Sequence, residues 1–199
     1  MGESYGPIVV ARTPFPARDL RGRRVAVPGS LTSAYLALKL FEPDFAAVVI
    51  PFDQIMAAVQ RGETEAGLLI HEGQLTYAQE GLHKIVDLGE WWHQTTGLPL
   101  PLGGNAIRRD LGQEHIREIS RLLRESIRYA LLHREDALRH ALLYARDLDP
   151  GQADRFVGMY VNERTLDYGP EGRRAVQLLL DRACAAGIIP SLVKAEFVE

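Results

Sequence analysis

The segment Glu65-Ala66-Gly67-Leu68-Leu69-Ile70-His71-Glu72 decides how the rest of the chain is interpreted. Its apolar run, Ala66–Ile70, lies between Gly62 and Gly73 and is too short for a helix, so it predicts a buried strand. Open α/β sheets bind ligands beyond the carboxyl ends of their strands. His71 is therefore a candidate general base, because imidazole titrates near neutral pH. The spacing equally allows a histidine that only caps the strand and bonds a loop.

Strands and helices alternate through the first half of the chain. Strands are predicted at 8–11, 23–27, 47–50, 66–70 and 84–88, with helices at 34–41 and 52–61, short helical turns within 73–81, and a tryptophan-bearing segment at 89–96. This order indicates βαβ units and therefore a parallel or mixed sheet flanked by helices, the α/β class.

The second half predicts helices and no convincing strand. The helices are expected at 113–133, 135–145, 149–161 and 170–186, and 162–169 is expected to be a loop. Their one-sided apolar faces need a covering layer. Only 8–11 and 104–108 remain to form a second sheet, and two strands make a poor core.

Composition excludes several classes of protein. The chain has 199 residues, enough for one large domain or two small lobes, and 46% of them are hydrophobic. A net charge of −3 gives no bulk attraction to nucleic acid or to anionic lipid. The single cysteine, Cys184, lies in an apolar helical pattern and is interpreted as a packed side chain.

Metal binding and export are not expected. The sequence contains no Cys/His cluster with metal-ligand spacing. Residues 1–15 lack the basic and apolar regions of a signal peptide, and no apolar run is long enough to span a membrane. We therefore expect a soluble cytoplasmic protein with no metal, no nucleic-acid partner and no membrane partner.

The turn after the second strand is the other candidate site. Strand 23–27 runs through Gly29 into a helix start, where free backbone N–H groups and the hydroxyls of Thr32 and Ser33 suit a carboxylate, phosphate or hydroxyl ligand. A plain N-cap explains the same residues. If strands 23–27 and 66–70 are parallel neighbours, this turn and His71 flank one ligand.

Other polar and aromatic residues are weaker candidates. Glu72 either orients His71 or lies in solvent. Trp91 and Trp92 either wall a pocket or anchor a helix into the core. Tyr160 and Asn162 could reach a cleft. The arginines of the long helix either bind nucleic acid or form a solvated face with i,i+4 pairs. Surface positions are predicted for four histidines: His93, His115, His133 and His140.

Four motifs together resemble one family. They are Arg24-Val25-Ala26-Val27-Pro28-Gly29 with Leu31-Thr32-Ser33-Ala34-Tyr35, then Glu65 to Glu72, then Val86-Asp87-Leu88-Gly89-Glu90-Trp91-Trp92 with Thr96 to Gly103, and more weakly Tyr160-Val161-Asn162. From about Gly6 to its end, the chain is similar to the 1,4-dihydroxy-6-naphthoate synthases of the futalosine route to menaquinone.

The resemblance implies a two-lobed fold of the type II periplasmic-binding-protein class, used as a cytoplasmic enzyme. Residues 1–20 would be a hinge and first-lobe strand, 21–104 the second α/β lobe, and 105–199 the helical part of the first lobe. Family members carry a further N-terminal segment with Ser-Pro-Cys-Pro-Asn-Asp and Lys-Leu-Ser motifs that do not occur here. We therefore expect an incomplete first lobe, from a mis-assigned start or a truncated copy, with low activity and stability.

The implied reaction is a carbon–carbon lyase step on a small molecule. Cyclic dehypoxanthine futalosine would be converted to 1,4-dihydroxy-6-naphthoate without a metal or an organic cofactor. His71 would be the base, and Thr32, Ser33 and Ala34 would bind the substrate. A histidine base suits a fragmentation through an enolate-like intermediate. A solute-binding protein of the same fold and the related chorismate dehydratase remain alternatives.

Overall fold

One mixed sheet organises the amino-terminal half of the chain, as the alternation of strands and helices predicts. A computed structural model describes residues 1–144 and 150–198. The five strands are β1 (Ile8–Ala11), β2 (Arg24–Val27), β3 (Ala46–Val49), β4 (Ala66–Leu69) and β5 (His83–Asp87). They lie in the order β3-β2-β4-β1-β5.

Strands 23–27 and 66–70 are parallel neighbours, which is the condition under which the glycine turn and His71 could flank one ligand. β2 pairs in parallel with both β3 and β4, with Val25 opposite Ala66 and Ala26 opposite Gly67. The carboxyl ends of β2 and β4 therefore meet at one edge of the sheet. Open α/β sheets bind ligands at such edges.

The placement of β1 corrects the sequence analysis, which reserves residues 8–11 for a second sheet. β1 lies between β4 and β5 and is antiparallel to both. All four residues are buried because both faces of the sheet are covered: Val9 and Ala11 pack on one side, Ile8 and Val10 on the other. Residues 104–108, the other segment left over for a second sheet, are irregular and form no strand. The lobe boundaries at 20 and 104 remain predictions.

Helices cover both faces of this sheet. They are α1 (Ser33–Phe41), α2 (Ile55–Arg61), the single turn α3 (Gly73–Thr76) and α4 (Leu88–Thr96). α2 packs closely on β4, because a Cβ at Gly67 would lie 2.6 Å from Ile55 Cγ2 and 2.8 Å from Val59 Cγ2. The strand that leads to His71 is therefore held on one face by direct backbone-to-side-chain packing.

The rest of the described chain is helical. The helices are α5 (Gln113–Leu132), α6 (Arg134–Leu142), α7 (Pro150–Tyr160), α8 (Glu163–Leu166) and α9 (Gly169–Ala185). α8 lies in the segment predicted as a loop, and a reciprocal cap between Asn162 and Thr165 forms its start. Residues 145 and 149, which end and begin predicted helices, lie outside the described residues.

The long helix α5 keeps much of its apolar face in solvent. Ile116 is buried, whereas Ile119, Leu122 and Leu123 remain 40–51% exposed. On its polar face, Arg121 forms ion pairs with Glu118 and Glu125, as expected of a solvated face. Across the described ranges, no helix is both long and apolar enough to cross a membrane.

Candidate functional site

His71 lies two residues beyond β4, at the edge where β2 also ends. Its φ of +58° places it in the left-handed region. For a residue with a side chain this conformation costs about 1–2 kcal/mol, so neighbouring groups must hold it. The imidazole is exposed, which leaves it accessible to a ligand.

Two aromatic rings flank the imidazole. The ring centroid of Phe52, in the turn before α2, lies 4.7 Å from that of His71. The ring centroid of Phe156, in α7, lies 5.9 Å from it. The two rings come from distant parts of the chain, so the tertiary fold assembles this arrangement.

His71 and Glu72 line a cavity of about 340 Å³. Its walls are otherwise largely apolar and come from the Phe52 turn, α6, the residues after it and α7. The residues that define its shape include Phe52, Leu138, Leu142, Tyr144, Phe156 and Val157. This size and apolar lining, with few polar groups, is typical of a site for a small organic ligand.

Glu72 shares the cavity with His71. It is half-buried, and its backbone carbonyl accepts a hydrogen bond from Leu75 N at 2.8 Å. Within the described part of the chain, no hydrogen bond joins the Glu72 carboxylate to the His71 ring. An orienting role for this carboxylate therefore remains a prediction.

The glycine turn after β2 starts α1 with two local hydrogen bonds at Thr32. Thr32 Oγ1 accepts from Tyr35 N at 3.1 Å and donates to the Gly29 carbonyl at 2.9 Å. This is the plain N-cap that the sequence analysis keeps open. The turn occupies the same sheet edge as His71, but Thr32 does not line the cavity beside the imidazole.

The next two residues are also held by the fold. The Ser33 hydroxyl donates to the Leu102 carbonyl, and Ala34 is 2% exposed. At this helix start, backbone N–H groups of the first turn have no partner within the helix. Substrate binding by Thr32, Ser33 and Ala34 remains a prediction.

Tyr160 does reach the turn after β4, as one alternative in the sequence analysis allows. Its hydroxyl lies 2.8 Å from the side-chain amide of Gln74. Burial raises the pKa of Tyr160 above its ordinary value. Asn162, by contrast, caps α8, where its Oδ1 accepts from Arg164 N at 3.0 Å.

The two tryptophans anchor α4 in the core. Trp92 is fully buried, with the Arg182 guanidinium 5.1 Å from its ring centroid. Trp91 is half-buried and packs edge-on against Phe41 at 5.4 Å. Neither lines the His71 cavity. The four histidines predicted on the surface, His93, His115, His133 and His140, are exposed.

Metal binding finds no support in the side chains that the structure describes. No group of three or more His, Cys, Asp or Glu among residues 1–144 and 150–198 is arranged to hold a metal ion. Cys184 is half-buried in α9, in line with its interpretation as a packing residue.

Sequence reasoning missed three residues around His71: Phe52, Phe156 and Gln74. Both phenylalanines fall in helical patterns, where an aromatic residue is normally assigned to the core. Gln74 lies in a short polar segment with no periodicity. The only local indication was the position of Gln74, which lies three residues after His71 and therefore in the turn that follows the strand.

Comparison with known protein families gives one extensive match. The sequence model of a family described as menaquinone biosynthesis matches residues 1–185. A 1,4-dihydroxy-6-naphthoate synthase from Thermus thermophilus is 47% identical over 188 residues, which are 94% of this chain and 68% of the relative. A second, from Streptomyces coelicolor, is 42% identical over 198 residues, which are 96% of this chain and 70% of the relative.

Solved structures match the fold over most of the chain. A crystal structure of a protein from Archaeoglobus fulgidus is 47% identical with a TM-score of 0.89, over 94% of this chain and 70% of that one. The periplasmic aliphatic sulphonate-binding protein of Escherichia coli is 17% identical with a TM-score of 0.59, over 96% and 64%. The alkanesulfonate-binding protein of Xanthomonas axonopodis is 15% identical with a TM-score of 0.63, over 97% and 69%. The last two show a periplasmic-binding-protein-like fold.

Proposed function

The chain belongs to the menaquinone biosynthesis family, and on that premise we propose that it converts cyclic dehypoxanthine futalosine to 1,4-dihydroxy-6-naphthoate with His71 as general base. The relatives that are 42–47% identical to it carry the name of this synthase. The observation that carries the role of His71 is its position: an accessible imidazole in an apolar cavity, beyond the carboxyl end of a central strand.

The cavity suits a substrate with flat rings. The rings of Phe52 and Phe156 both lie next to His71, at 4.7 Å and 5.9 Å between ring centroids. Aromatic side chains at such separations pack well against planar groups. A fused-ring substrate would bury its apolar surface here, and the imidazole would lie next to its reacting carbon chain.

The proposed step is a proton transfer that accompanies cleavage of a carbon–carbon bond. The neutral imidazole accepts the proton of a hydroxyl on the departing fragment, whose carbon becomes a carbonyl as the carbon–carbon bond breaks, and the electron pair of that bond remains on the ring fragment as an enolate. The three-carbon sugar fragment leaves, and the imidazolium returns a proton. General base catalysis of this kind contributes typically 10²–10⁴-fold to a rate. The chain's own side chains supply the acid–base chemistry, without a metal or an organic cofactor.

The start of α1 is proposed to bind an oxygen of the substrate. β2 and β4 are parallel neighbours, so the Thr32–Ala34 turn and His71 belong to the same sheet edge. Free N–H groups at a helix start favour a carboxylate or an enolate oxygen.

In line with a biosynthetic role, we propose that the protein is located in the cytoplasm.

The direct test is to incubate the chain with cyclic dehypoxanthine futalosine and to quantify 1,4-dihydroxy-6-naphthoate by chromatography. The Thermus thermophilus relative, assayed in parallel, provides the positive control. Formation of the naphthoate by the chain supports the proposal. Turnover of chorismate in a separate assay would identify the dehydratase. Binding of the futalosine without turnover would identify a solute-binding protein.

A further inference from the structure

One residue, Gln74, holds the backbone of His71 on both sides of its Cα. The Gln74 N–H donates to the His71 carbonyl at 3.2 Å. With its amide oriented to satisfy all its neighbours, Gln74 Oε1 accepts from the His71 N–H, also at 3.2 Å. The two bonds together restrict φ and ψ of His71, and therefore the direction of its Cα–Cβ bond.

The same amide is tied to two other segments. Gln74 Nε2 donates to the Gly6 carbonyl at 2.6 Å, and Oε1 accepts from the Tyr160 hydroxyl at 2.8 Å. The neighbouring residues Tyr5 and Met159 are linked as well, because the Tyr5 hydroxyl donates to the Met159 carbonyl. The segment before β1 and the end of α7 therefore fix the amide in place.

The amide network is largely closed to solvent. Gln74 is 9% exposed. Burial raises the pKa of Tyr160, so its hydroxyl stays protonated at neutral pH and can donate to Gln74. A buried amide with a single satisfying orientation is well suited to hold a neighbouring backbone still.

The strained backbone of His71 explains why such a support matters. His71 adopts φ +58°, a conformation that a residue with a side chain keeps only when its surroundings impose it. Tyr160 also packs against Phe156, with ring centroids 4.9 Å apart, and Phe156 in turn flanks the imidazole. The end of α7 therefore acts on His71 in two ways. The Phe156 ring lies against the imidazole, and the Tyr160 hydroxyl acts through Gln74 on the backbone of His71.

We propose that Gln74 is a positioning residue that aims the His71 side chain into the cavity, with Tyr160 fixing the orientation of the amide. Gln74 acts through His71, because it does not itself line the cavity. This inference rests on the proposed function, in which His71 is the base.

The test compares Gln74→Met, which removes the amide at nearly constant side-chain length, with Gln79→Met. Gln79 lies in the same segment and is exposed. For Gln74→Met we expect kcat to fall about 10- to 100-fold with KM within about twofold, as for a misaimed catalytic group. Gln79→Met should leave both constants unchanged.

A second readout separates positioning from catalysis. The chain has 6 histidines, and the ring resonances of His71 in a histidine-labelled sample can be assigned by their loss in His71→Ala. We expect Gln74→Met to move these resonances and Gln79→Met to leave them in place. Should Gln74→Met fail to fold, Tyr160→Phe takes its place, since it removes the hydroxyl that orients the amide.

Each outcome decides a different claim. A folded Gln74→Met with unchanged His71 resonances, or with unchanged kcat, overturns the positioning role. If His71→Ala retains full turnover, the base assignment fails, while the resonances still report whether Gln74 orients His71.

Discussion

The ring of His71 lies 4.7 Å from the ring of Phe52, with an angle of 49° between the two planes. Phe52 belongs to the turn that precedes α2, and His71 follows the strand onto which α2 packs. The β3–α2–β4 segment therefore carries both residues, and its packing fixes the distance between the two rings.

Replacing Phe52 with leucine removes the closer aromatic wall of the cavity but keeps an apolar side chain. We expect KM for cyclic dehypoxanthine futalosine to rise about fivefold, because an aromatic pair contributes roughly 0.5–1.5 kcal/mol beyond its buried area. The effect on kcat should be small, since His71 remains in place. Phe15→Leu is the control, because the Phe15 ring packs under Arg23 and does not line the cavity. Equal KM values for both variants would exclude a binding role for Phe52.

The Thr32 hydroxyl offers a test of the glycine turn. Thr32→Ala removes the cap of α1 and should lower the free energy of unfolding by about 1 kcal/mol. If the turn also binds substrate, KM rises as well, whereas Thr32→Ser keeps the hydroxyl and should resemble the unaltered chain. Urea unfolding and steady-state kinetics measure the two effects separately. A loss of stability with unchanged KM would show that the Thr32 hydroxyl only caps α1 and does not bind substrate.

Gly67 is a packing constraint rather than a source of flexibility. A Cβ there would lie 2.6 Å from Ile55 Cγ2 and 2.8 Å from Val59 Cγ2, so α2 must shift away from β4. We expect Gly67→Ala to cost about 1–3 kcal/mol in the free energy of unfolding. Gly103→Ala is the matched control, because a Cβ at Gly103 meets no atom within 4 Å. Indistinguishable urea midpoints for the two variants would contradict this packing.

The buried cap of α4 predicts a pH dependence of stability. Asp87 Oδ1 accepts from Gly89 N at 2.8 Å and from Glu90 N at 3.2 Å. Burial raises the pKa of Asp87, and these two hydrogen bonds only partly oppose it. The folded chain therefore keeps this proton to a higher pH than the unfolded chain does. By linkage, the stability contributed by the carboxyl falls as pH rises from its unfolded pKa through its folded pKa.

Asp87→Asn removes the titration and keeps an Oδ1 that can accept both hydrogen bonds. We expect the stability of Asp87→Asn relative to the unaltered chain to increase between about pH 3 and about pH 7. Asp167→Asn is the control, because the exposed Asp167 also accepts from a backbone N–H two residues on. A stability difference for Asp87→Asn that stays constant with pH would refute the effect of burial.

Local sequence patterns predicted the elements of the sheet and the edge that carries His71. The apolar run before His71, the glycine turn before Thr32 and the parallel pairing of their strands were all recoverable, because each depends on residues close in sequence or on a general rule of βαβ connection. The same patterns misplaced β1. A short apolar run specifies that a strand is buried, but not which strands lie beside it.

The surroundings of His71 could not be predicted in the same way. Phe52, Phe156 and Tyr160 meet around the residues after β4 only when α7 packs there. The left-handed backbone conformation of His71 could not be predicted from its residue type, because glycine is the residue that normally marks such positions. These contacts depend on tertiary packing, which the hydrophobic pattern of a single helix or strand does not specify.

The central claim is that His71 accepts the proton in the lyase reaction. The most direct measurement is kcat of His71→Ala on cyclic dehypoxanthine futalosine, with His93→Ala, which changes an exposed histidine of α4, as the control. For a lost general base we predict a fall of about 10²- to 10⁴-fold in His71→Ala and none in His93→Ala. A folded His71→Ala whose kcat stays within about twofold of the unaltered chain would contradict the account.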